Sequence, residues 1–396
     1  MNSFFSPEDH WVIWTFLVGI AAMSIYLEHR FKFAKKITGA VIALVGGMLA
    51  SSSGLLPTES ISYDIVWKYI VPLAIPLLLM KMDVRKIFKE TGRLMGAFHI
   101  SALGTIAGSI VAVALMANLI EDLQLIAPAM TGSYIGGGVN FVALVSMFDP
   151  PKDLVTATLV ADSGVMVIYF IVLIMLPSSL LFRRFFPKTE KTLKITGEDT
   201  GGSDDFWKGE PISLLDIGKS LAIAFLIAAI SVKISGFFGK AGMPELIRLL
   251  LGQQYLVLTT VSILFPVIFT KTSKNISGNT ELGTFLIFVF FVAIGLPASL
   301  KEVIFGAPFM LIFCTVILFF NFLFTIVLGK LFKYELEELI LAGAVTSGGP
   351  MNGIAIAISK KWNKLILPSM MVGLWGYIIG NYLGYLMGII LKNILN

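Results

Sequence analysis

The 396-residue chain has little of what soluble enzymes usually carry. Only 14% of its residues are charged, it has three histidines, and Cys314 is its one cysteine. A single cysteine excludes a disulfide framework and a cysteine metal site, and the histidines lack metal-binding spacing. No HExxH, GxSxG, Walker or GxGxxG pattern lies in a fitting context. We therefore predict that the protein is not an enzyme and carries no cofactor beyond a coupling ion, Na⁺ or H⁺.

Apolar residues dominate instead, at 56% of the chain. Runs long enough to cross a bilayer recur from end to end, which predicts an all-α polytopic membrane protein surrounded by lipid. The net charge of +5 does not indicate a nucleic-acid partner, because the basic residues lie in short loops between apolar runs.

The apolar runs predict ten spanning helices in two groups of five. Residues 1–182 form a first repeat, 214–396 form a second, and the charged, Gly- and Ser-rich residues 183–213 form a cytoplasmic hydrophilic linker. The predicted spans are 11–27, 37–56, 65–80, 95–119, 154–182, 214–234, 253–270, 279–297, 308–329 and 366–391.

A glycine-rich segment interrupts each group at a matching place. Thr131 to Asn140 ends in Gly136-Gly137-Gly138-Val-Asn140, and Thr346 to Asn352 reads Thr-Ser-Gly-Gly-Pro-Met-Asn, with the two asparagines 212 residues apart. Lipid cannot satisfy free backbone groups, so irregular backbone at membrane depth must be buried in protein or face a watery cavity. Paired breaks of this kind indicate a transporter's binding site.

These two segments supply the predicted substrate-binding residues. A short helix beginning near each asparagine would point its free N–H groups and positive dipole end at an anion such as a carboxylate. Neutral side chains nearby would add donors and acceptors, and glycines would allow close approach. The candidates are Thr131, Ser133, Gly136, Gly137, Gly138, Asn140, Thr346, Ser347, Gly348, Gly349 and Asn352. The opposing interpretation is that the glycines only allow tight helix packing.

Two geometries remain open for the glycine segments, 126–148 and 338–359. They can be re-entrant hairpins, or broken helices that cross the membrane. With hairpins and the N-terminus outside, 22 of the 30 basic residues lie in cytoplasmic loops and five lie outside, as the positive-inside tendency requires. Hairpins also make the two repeats inverted, and we favour them.

Asp162 is the candidate coupling site, for Na⁺ or for a proton. It lies well inside an apolar span, where an ionisable group costs at least a few kcal/mol unless it is hydrated, paired or functional. Thr158 lies one turn before it, and Asn381 on the last helix is a weaker candidate. The alternative is an aspartate satisfied by a neighbouring helix or placed nearer the interface.

The two motifs and the hydropathy resemble the bacterial "domain of unknown function 819" family of YjcL-like integral membrane proteins, over nearly the whole chain. That family is similar to inverted-repeat carriers that include sodium–glutamate symporters, 2-hydroxycarboxylate carriers and cation–proton antiporters. The resemblance implies a scaffold and a mobile core, elevator-like movement and often a homodimer. Asp162 matches the acidic residue that the antiporter relatives carry after their first broken helix. Here it is a single aspartate and not one of a pair, which puts a proton-antiport stoichiometry like theirs in doubt.

The expected function is ion-coupled secondary transport of a small anionic organic solute, such as an amino acid, carboxylate or short peptide, across the bacterial inner membrane. The alternative is a cation–proton antiporter without an organic substrate. A channel or membrane sensor is a third class, which predicts conductance or partner binding without saturable uptake.

Overall fold

The computed structural model describes residues 3–31, 39–82, 84–186, 212–240, 242–297, 300–360 and 362–395. Every regular element in these ranges is a helix, as predicted. Most of the predicted linker 183–213 lies outside the described residues.

Eighteen α-helices and two short 3₁₀ helices, Leu176–Ser178 and Asn363–Leu365, follow one another along the described chain, and seven of the α-helices are long and apolar enough to cross a membrane. The protein is therefore a multi-pass membrane protein. The helices are α1 His10–Arg30, α2 Gly39–Ser52, α3 Ile61–Leu79, α4 Val84–Glu90, α5 Arg93–Met116, α6 Leu123–Gly136, α7 Gly138–Phe148, α8 Lys152–Met175, α9 Leu180–Phe185, α10 Leu214–Phe238, α11 Glu245–Leu251, α12 Gln254–Ile268, α13 Thr270–Lys274, α14 Asn279–Gly295, α15 Leu300–Leu331, α16 Leu336–Gly348, α17 Pro350–Ser359 and α18 Ile366–Leu395.

Each of the ten predicted spans overlaps one of these helices, but only seven of the ten helices are long enough to cross a membrane. Helices α2, α12 and α14 are shorter, α8 ends at Met175 rather than at 182, and other boundaries differ as well. The predicted span 37–56 ends early, at Ser52, because Gly54 adopts a left-handed φ of 74° that stops the helix. The predicted span 65–80 begins earlier, because the side chain of Ser60 accepts a hydrogen bond from the Ser62 N–H and caps α3.

A π-helical turn lies in the middle of α3, at Val66–Ile70. Pro72 lies two residues after this turn, and its ring has no N–H and would clash with the carbonyl four residues earlier. The wider turn relieves this conflict, because Val71 donates to the Val66 carbonyl, five residues back. The proline therefore explains the local geometry.

The helix order repeats along the chain. Helices α6, α7 and α8 begin at residues 123, 138 and 152, and α16, α17 and α18 begin at 336, 350 and 366. Each pair is within two residues of the 212-residue offset that the asparagines define. This agreement supports two repeats, and their inverted orientation stays a prediction.

The chain packs as two compact units, and each takes residues from both repeats. Unit 1 comprises Met1–Lys81, Val145–Val167 and Ile212–Ile312. Within it, α14 packs on α1, α2 and α3. Gly47 on α2 and Gly295 on α14 let these backbones touch, because a Cβ on either would collide with a carbonyl oxygen of the other helix.

Unit 2 comprises Met82–Leu144, Ile168–Pro211 and Phe313–Asn396, and α18 packs along α6 in it. Gly376, Gly380 and Gly384 line the contact. A Cβ on Gly384 would lie 2.8 Å from the Pro128 carbonyl oxygen, and one on Gly376 2.6 Å from that of Ile135. This stripe is a packing device. The two packing units are not divided at the predicted boundary 183–213. That boundary was predicted between the two repeats, and it stays a prediction.

Candidate binding site at two helix breaks

Each glycine segment is a helical hairpin whose chain reverses at one glycine. Gly137 separates α6 from α7 and has a φ of 90°, a conformation that favours glycine. The Leu144 side chain lies against Gly132, twelve residues earlier, where a Cβ would collide with it. In a continuous helix these residues would be about 18 Å apart. The arms therefore fold back on each other.

The second segment has the same design. Gly349 separates α16 from α17 with a φ of 75°, and its ψ of −173° is almost that of Gly137, −172°. Gly353 packs against Val345, so these arms also fold back. Pro350 is the first residue of the returning helix, because its fixed φ suits a first turn. Whether the hairpins re-enter a membrane stays a prediction.

The two reversals meet within unit 2. A Cβ built on Gly137 would lie 3.5 Å from the Cα atom of Gly349 and 3.4 Å from a ring carbon of Tyr377. A Cβ on Gly349 would lie 3.6 Å from the hydroxyl of the same tyrosine. The breaks therefore touch each other beside one aromatic ring of α18, and the N-termini of α7 and α17 are close together.

Free backbone donors gather at this meeting point. The first N–H groups of any helix lack intrahelical acceptors, so α7 presents those of Gly138 and Val139, and α17 those of Met351 and Asn352. Gly138 is exposed, and a Cβ there would meet nothing within 4 Å. The side chain of Met351 is 48% exposed. The N–H groups and helix dipoles can hold an anion at this open face.

Most of the predicted polar side chains lie behind this face. Thr131 donates to the Ser109 hydroxyl at 2.9 Å or to the Ala127 carbonyl oxygen, and Ser347 donates to the Gly343 carbonyl oxygen at 2.8 Å. The sequence places these residues in the glycine segments without showing which way they point. Five are buried: Thr131, Ser133, Asn140, Thr346 and Ser347.

The two asparagines at the 212-residue offset have different surroundings. Asn140 is fully buried, and its amide donates to the Gly376 carbonyl oxygen at 3.3 Å. Its own Oδ1 has no hydrogen-bond partner among the described residues. Asn352 is half-buried at the tip, and its side chain makes no hydrogen bond within the described part of the chain. Gly136, Gly137 and Gly349 are buried, whereas Gly348 is partly accessible.

A buried cluster centred on Asn321 supports the hairpins, and the sequence analysis did not include it. The Asn321 amide donates to the hydroxyls of Thr105 at 2.9 Å and Thr346 at 3.2 Å, and its oxygen accepts from Tyr169 at 2.7 Å. The available signal was an asparagine inside the apolar run Phe-Phe-Asn-Phe-Leu, where an unpaired amide would be costly.

The predicted coupling residues are distributed over both units. Asp162 on α8 belongs to unit 1 and is half-buried. Thr158, one turn earlier, is fully buried and donates to the Leu154 carbonyl oxygen at 2.6 Å, so its oxygen keeps only acceptor capacity. Asn381 is fully buried on α18 in unit 2. No measurement of these positions tests ion binding, and the role stays a prediction.

The fold and its helix breaks define a polytopic helical membrane protein with two repeated helical hairpins. The chain belongs to the family described as "Protein of unknown function (DUF819)", whose model matches residues 15–394. It is 44% identical over 389 residues to "Uncharacterized membrane protein YjcL" of Bacillus subtilis (strain 168), covering 98% of both chains. The resemblance inferred from the glycine motifs is thereby confirmed.

Proposed function

We propose that this protein is an ion-coupled secondary transporter of a small anionic organic solute, such as an amino acid, another carboxylate or a short peptide. The contact between Gly137 and Gly349 carries the proposal, because it brings two helix N-termini to one open face. Each helix end is equivalent to about half a positive charge, so two ends together offer roughly one. A carboxylate carries the complementary charge.

The solute binds mainly to backbone. Gly138 leaves room for it, and the N–H groups that begin α7 and α17 donate to its carboxylate. Asn352 is the one predicted side-chain donor that is partly accessible at the tips, so it contacts the solute directly. Thr131, Asn140 and Thr346 act one layer further in and hold the backbone in place.

Coupling to Na⁺ or H⁺ occurs at Asp162. The carboxylate is half-buried in the long apolar helix α8, where an ionised group costs free energy. A cation there would be held by the carboxylate with the Thr158 oxygen one turn away. The proposal also includes an elevator-like movement, a homodimer and a location in the bacterial inner membrane, which rest on the family resemblance. The outside position of the N-terminus rests on the charges of the loops.

A thermal-shift screen of purified protein against a solute library, with and without Na⁺, tests the proposal. A stabilising carboxylate should also be taken up by proteoliposomes when an ion gradient is imposed. Asn352→Ala should raise the solute Kd, while Ala substitution of Asn275, an exposed asparagine outside the hairpins, should not. If no anionic solute shifts the melting temperature, with or without Na⁺, the proposal of a solute site is wrong.

A cation–proton antiporter without an organic substrate is the alternative that Asp162 favours. It predicts that proteoliposomes dissipate an ion gradient with no solute present. In that case Asp162→Asn abolishes the flux, and Asn352→Ala leaves it unchanged. A transporter of an organic solute predicts the opposite result: without solute, proteoliposomes that contain the parent protein do not dissipate the ion gradient.

A further inference from the structure

The amide group of Asn321 is fixed in one orientation inside unit 2. Its nitrogen lies 3.0 Å from the Ser101 carbonyl oxygen, which can only accept, so that nitrogen must be the donor. Its oxygen accepts from the Tyr169 hydroxyl at 2.7 Å. Turning the amide over would place two acceptors against each other and would leave the tyrosine facing a donor.

This amide connects to both hairpins through threonine hydroxyls. The two hydrogens of the amide are shared among four acceptors, the Ser101 carbonyl oxygen and hydroxyl and the hydroxyls of Thr105 and Thr346. Thr346, on the outgoing arm of the second hairpin, lies 3.2 Å from the Asn321 nitrogen and 2.8 Å from the Ser101 hydroxyl, and it donates to the Ala342 carbonyl oxygen at 3.0 Å or to that of Gly343. Thr105 accepts from Asn321 and donates to the Tyr134 carbonyl oxygen at 2.9 Å. Tyr134 belongs to the outgoing arm of the first hairpin.

The two hairpin residues that this cluster contacts, Tyr134 and Thr346, are at equivalent positions in the repeats. Tyr134 lies three residues before Gly137, Thr346 lies three residues before Gly349, and they are separated by the same 212 residues. Tyr134 also has non-helical backbone angles, φ −83° and ψ 15°, close to the end of α6. The hydroxyl of Thr105 satisfies this carbonyl where the helix comes apart.

We propose that Asn321 is a positioning residue that holds the two hairpin tips at a fixed position relative to each other. One amide contacts the outgoing arm of the second hairpin at Thr346 and reaches that of the first through Thr105 and the Tyr134 carbonyl oxygen. Tyr169 sets the orientation of that amide. The cluster is buried, so it does not touch a solute and acts through the backbone N–H groups of the tips. This inference deepens the proposed function and rests on it for the meaning of this relative position.

A pair of spin labels measures the relative position of the tips without any solute. Cys314→Ala removes the one cysteine, and Gly138→Cys with Met351→Cys places labels on the two accessible tips. The labels should show strong dipolar broadening by continuous-wave electron paramagnetic resonance. Adding Asn321→Leu should reduce this dipolar broadening, because the distance between the labels becomes less uniform. The milder Tyr169→Phe should reduce it to a smaller extent.

Asn279→Leu is the matched control. Asn279 is also a buried asparagine whose amide donates to a main-chain carbonyl, that of Leu77 at 2.8 Å, but it lies in unit 1, whereas both hairpin tips belong to unit 2. A purely structural role predicts that the two leucine variants lower the melting temperature by similar amounts and that neither changes the broadening. Positioning predicts that only Asn321→Leu changes the broadening.

Affinity provides the second measurement, on unlabelled protein with a solute from the thermal-shift screen. Asn321→Leu should raise the solute Kd about tenfold, the loss expected for a hydrogen bond or two. Asn279→Leu should leave the Kd unchanged. Unchanged broadening in both Asn321→Leu and Tyr169→Phe overturns the inference. If the parent protein binds no solute, the proposed function fails, while the spin-label result still decides whether Asn321 holds the tips.

Discussion

The side-chain amide of Asn140 donates to the carbonyl oxygen of Gly376 across 3.3 Å, which fastens the first hairpin to α18. Its repeat partner, Asn352, is partly accessible and makes no such bond in the described part of the chain. Two residues with the same place in the repeats therefore have different tasks. Asn140 fastens the first hairpin to α18, and the side chain of Asn352 is partly accessible at the tip.

Alanine substitutions should separate these tasks. Asn140→Ala removes the hydrogen bond to the Gly376 carbonyl oxygen and opens a small cavity, so we expect a loss of about 1–2 kcal/mol of stability. Asn352→Ala should change stability by no more than about 0.5 kcal/mol, because it removes no internal bond. Thermal unfolding in detergent measures both. Equal changes in melting temperature would contradict the division.

The reversals at Gly137 and Gly349 should not tolerate a side chain. Their φ angles of 90° and 75° are strained for any L-residue, although a Cβ would have ordinary contacts at both. The cost is therefore conformational, and we expect each alanine substitution to lower stability by about 1–2 kcal/mol.

Gly138→Ala is the control for these two changes. Gly138 is the next residue along the chain, has no left-handed φ, and has open space around it. Alanine there should leave the melting temperature within error of the parent value or raise it slightly, because alanine favours helix. A drop as large as that of Gly137→Ala would show that crowding, not backbone conformation, governs the tips.

The sequence was enough to predict the helices and the two breaks. Apolar runs determine which segments must satisfy their backbone internally, and the glycines with Pro350 mark where that regularity stops. These are local signals, and the predicted start of the returning helices near Asn140 and Asn352 is within two residues of the observed Gly138 and Pro350.

The sequence was not enough to predict which polar side chains face the open tip. The direction of Asn140 depends on Gly376, which is 236 residues away, and that of Thr346 depends on Asn321 and Ser101. Such partners come together only when the helices pack. Repeat symmetry predicted equal roles for Asn140 and Asn352, and packing made their surroundings unequal.

The glycine stripe of α18 should be sensitive to one methyl group. A Cβ on Gly380 would collide with the Asn140 amide nitrogen and lie 2.9 Å from the Gly132 carbonyl oxygen. Because the second neighbour is backbone, it cannot turn aside, and Gly380→Ala should lower stability by about 2 kcal/mol or more.

Gly218→Ala on α10 is the matched test, since a Cβ there would meet nothing within 4 Å. That change should be neutral or stabilise by up to about 1 kcal/mol through helix propensity. Unfolding curves of both variants in one detergent give the comparison. A Gly380→Ala protein as stable as the parent would mean that α6 and α18 are not in close contact.

The start of the second hairpin is held by Arg93 through a fork of hydrogen bonds. Its Nε atom lies 3.2 Å from a carboxylate oxygen of Glu338, and its Nη2 atom donates to the Lys333 carbonyl oxygen at 2.6 Å. The guanidinium also stacks over the Tyr334 ring, 4.8 Å from its centre. Glu338 is only 7% exposed and accepts from the Glu335 N–H at 2.9 Å, which completes the cap of α16.

Charge alone should therefore not preserve this contact. Arg93→Lys keeps the positive charge but loses the fork and the stacking, so we expect it to lower stability by about 1–2 kcal/mol, nearly as much as Arg93→Ala. Glu338→Gln keeps an acceptor for the cap and should cost less than Glu338→Ala, which loses both. Arg30→Lys, at an exposed residue whose guanidinium lies 6.0 Å from the Phe31 ring, is the control and should change little. If Arg93→Lys melts like the parent protein, simple ion pairing explains the contact and the fork does not matter.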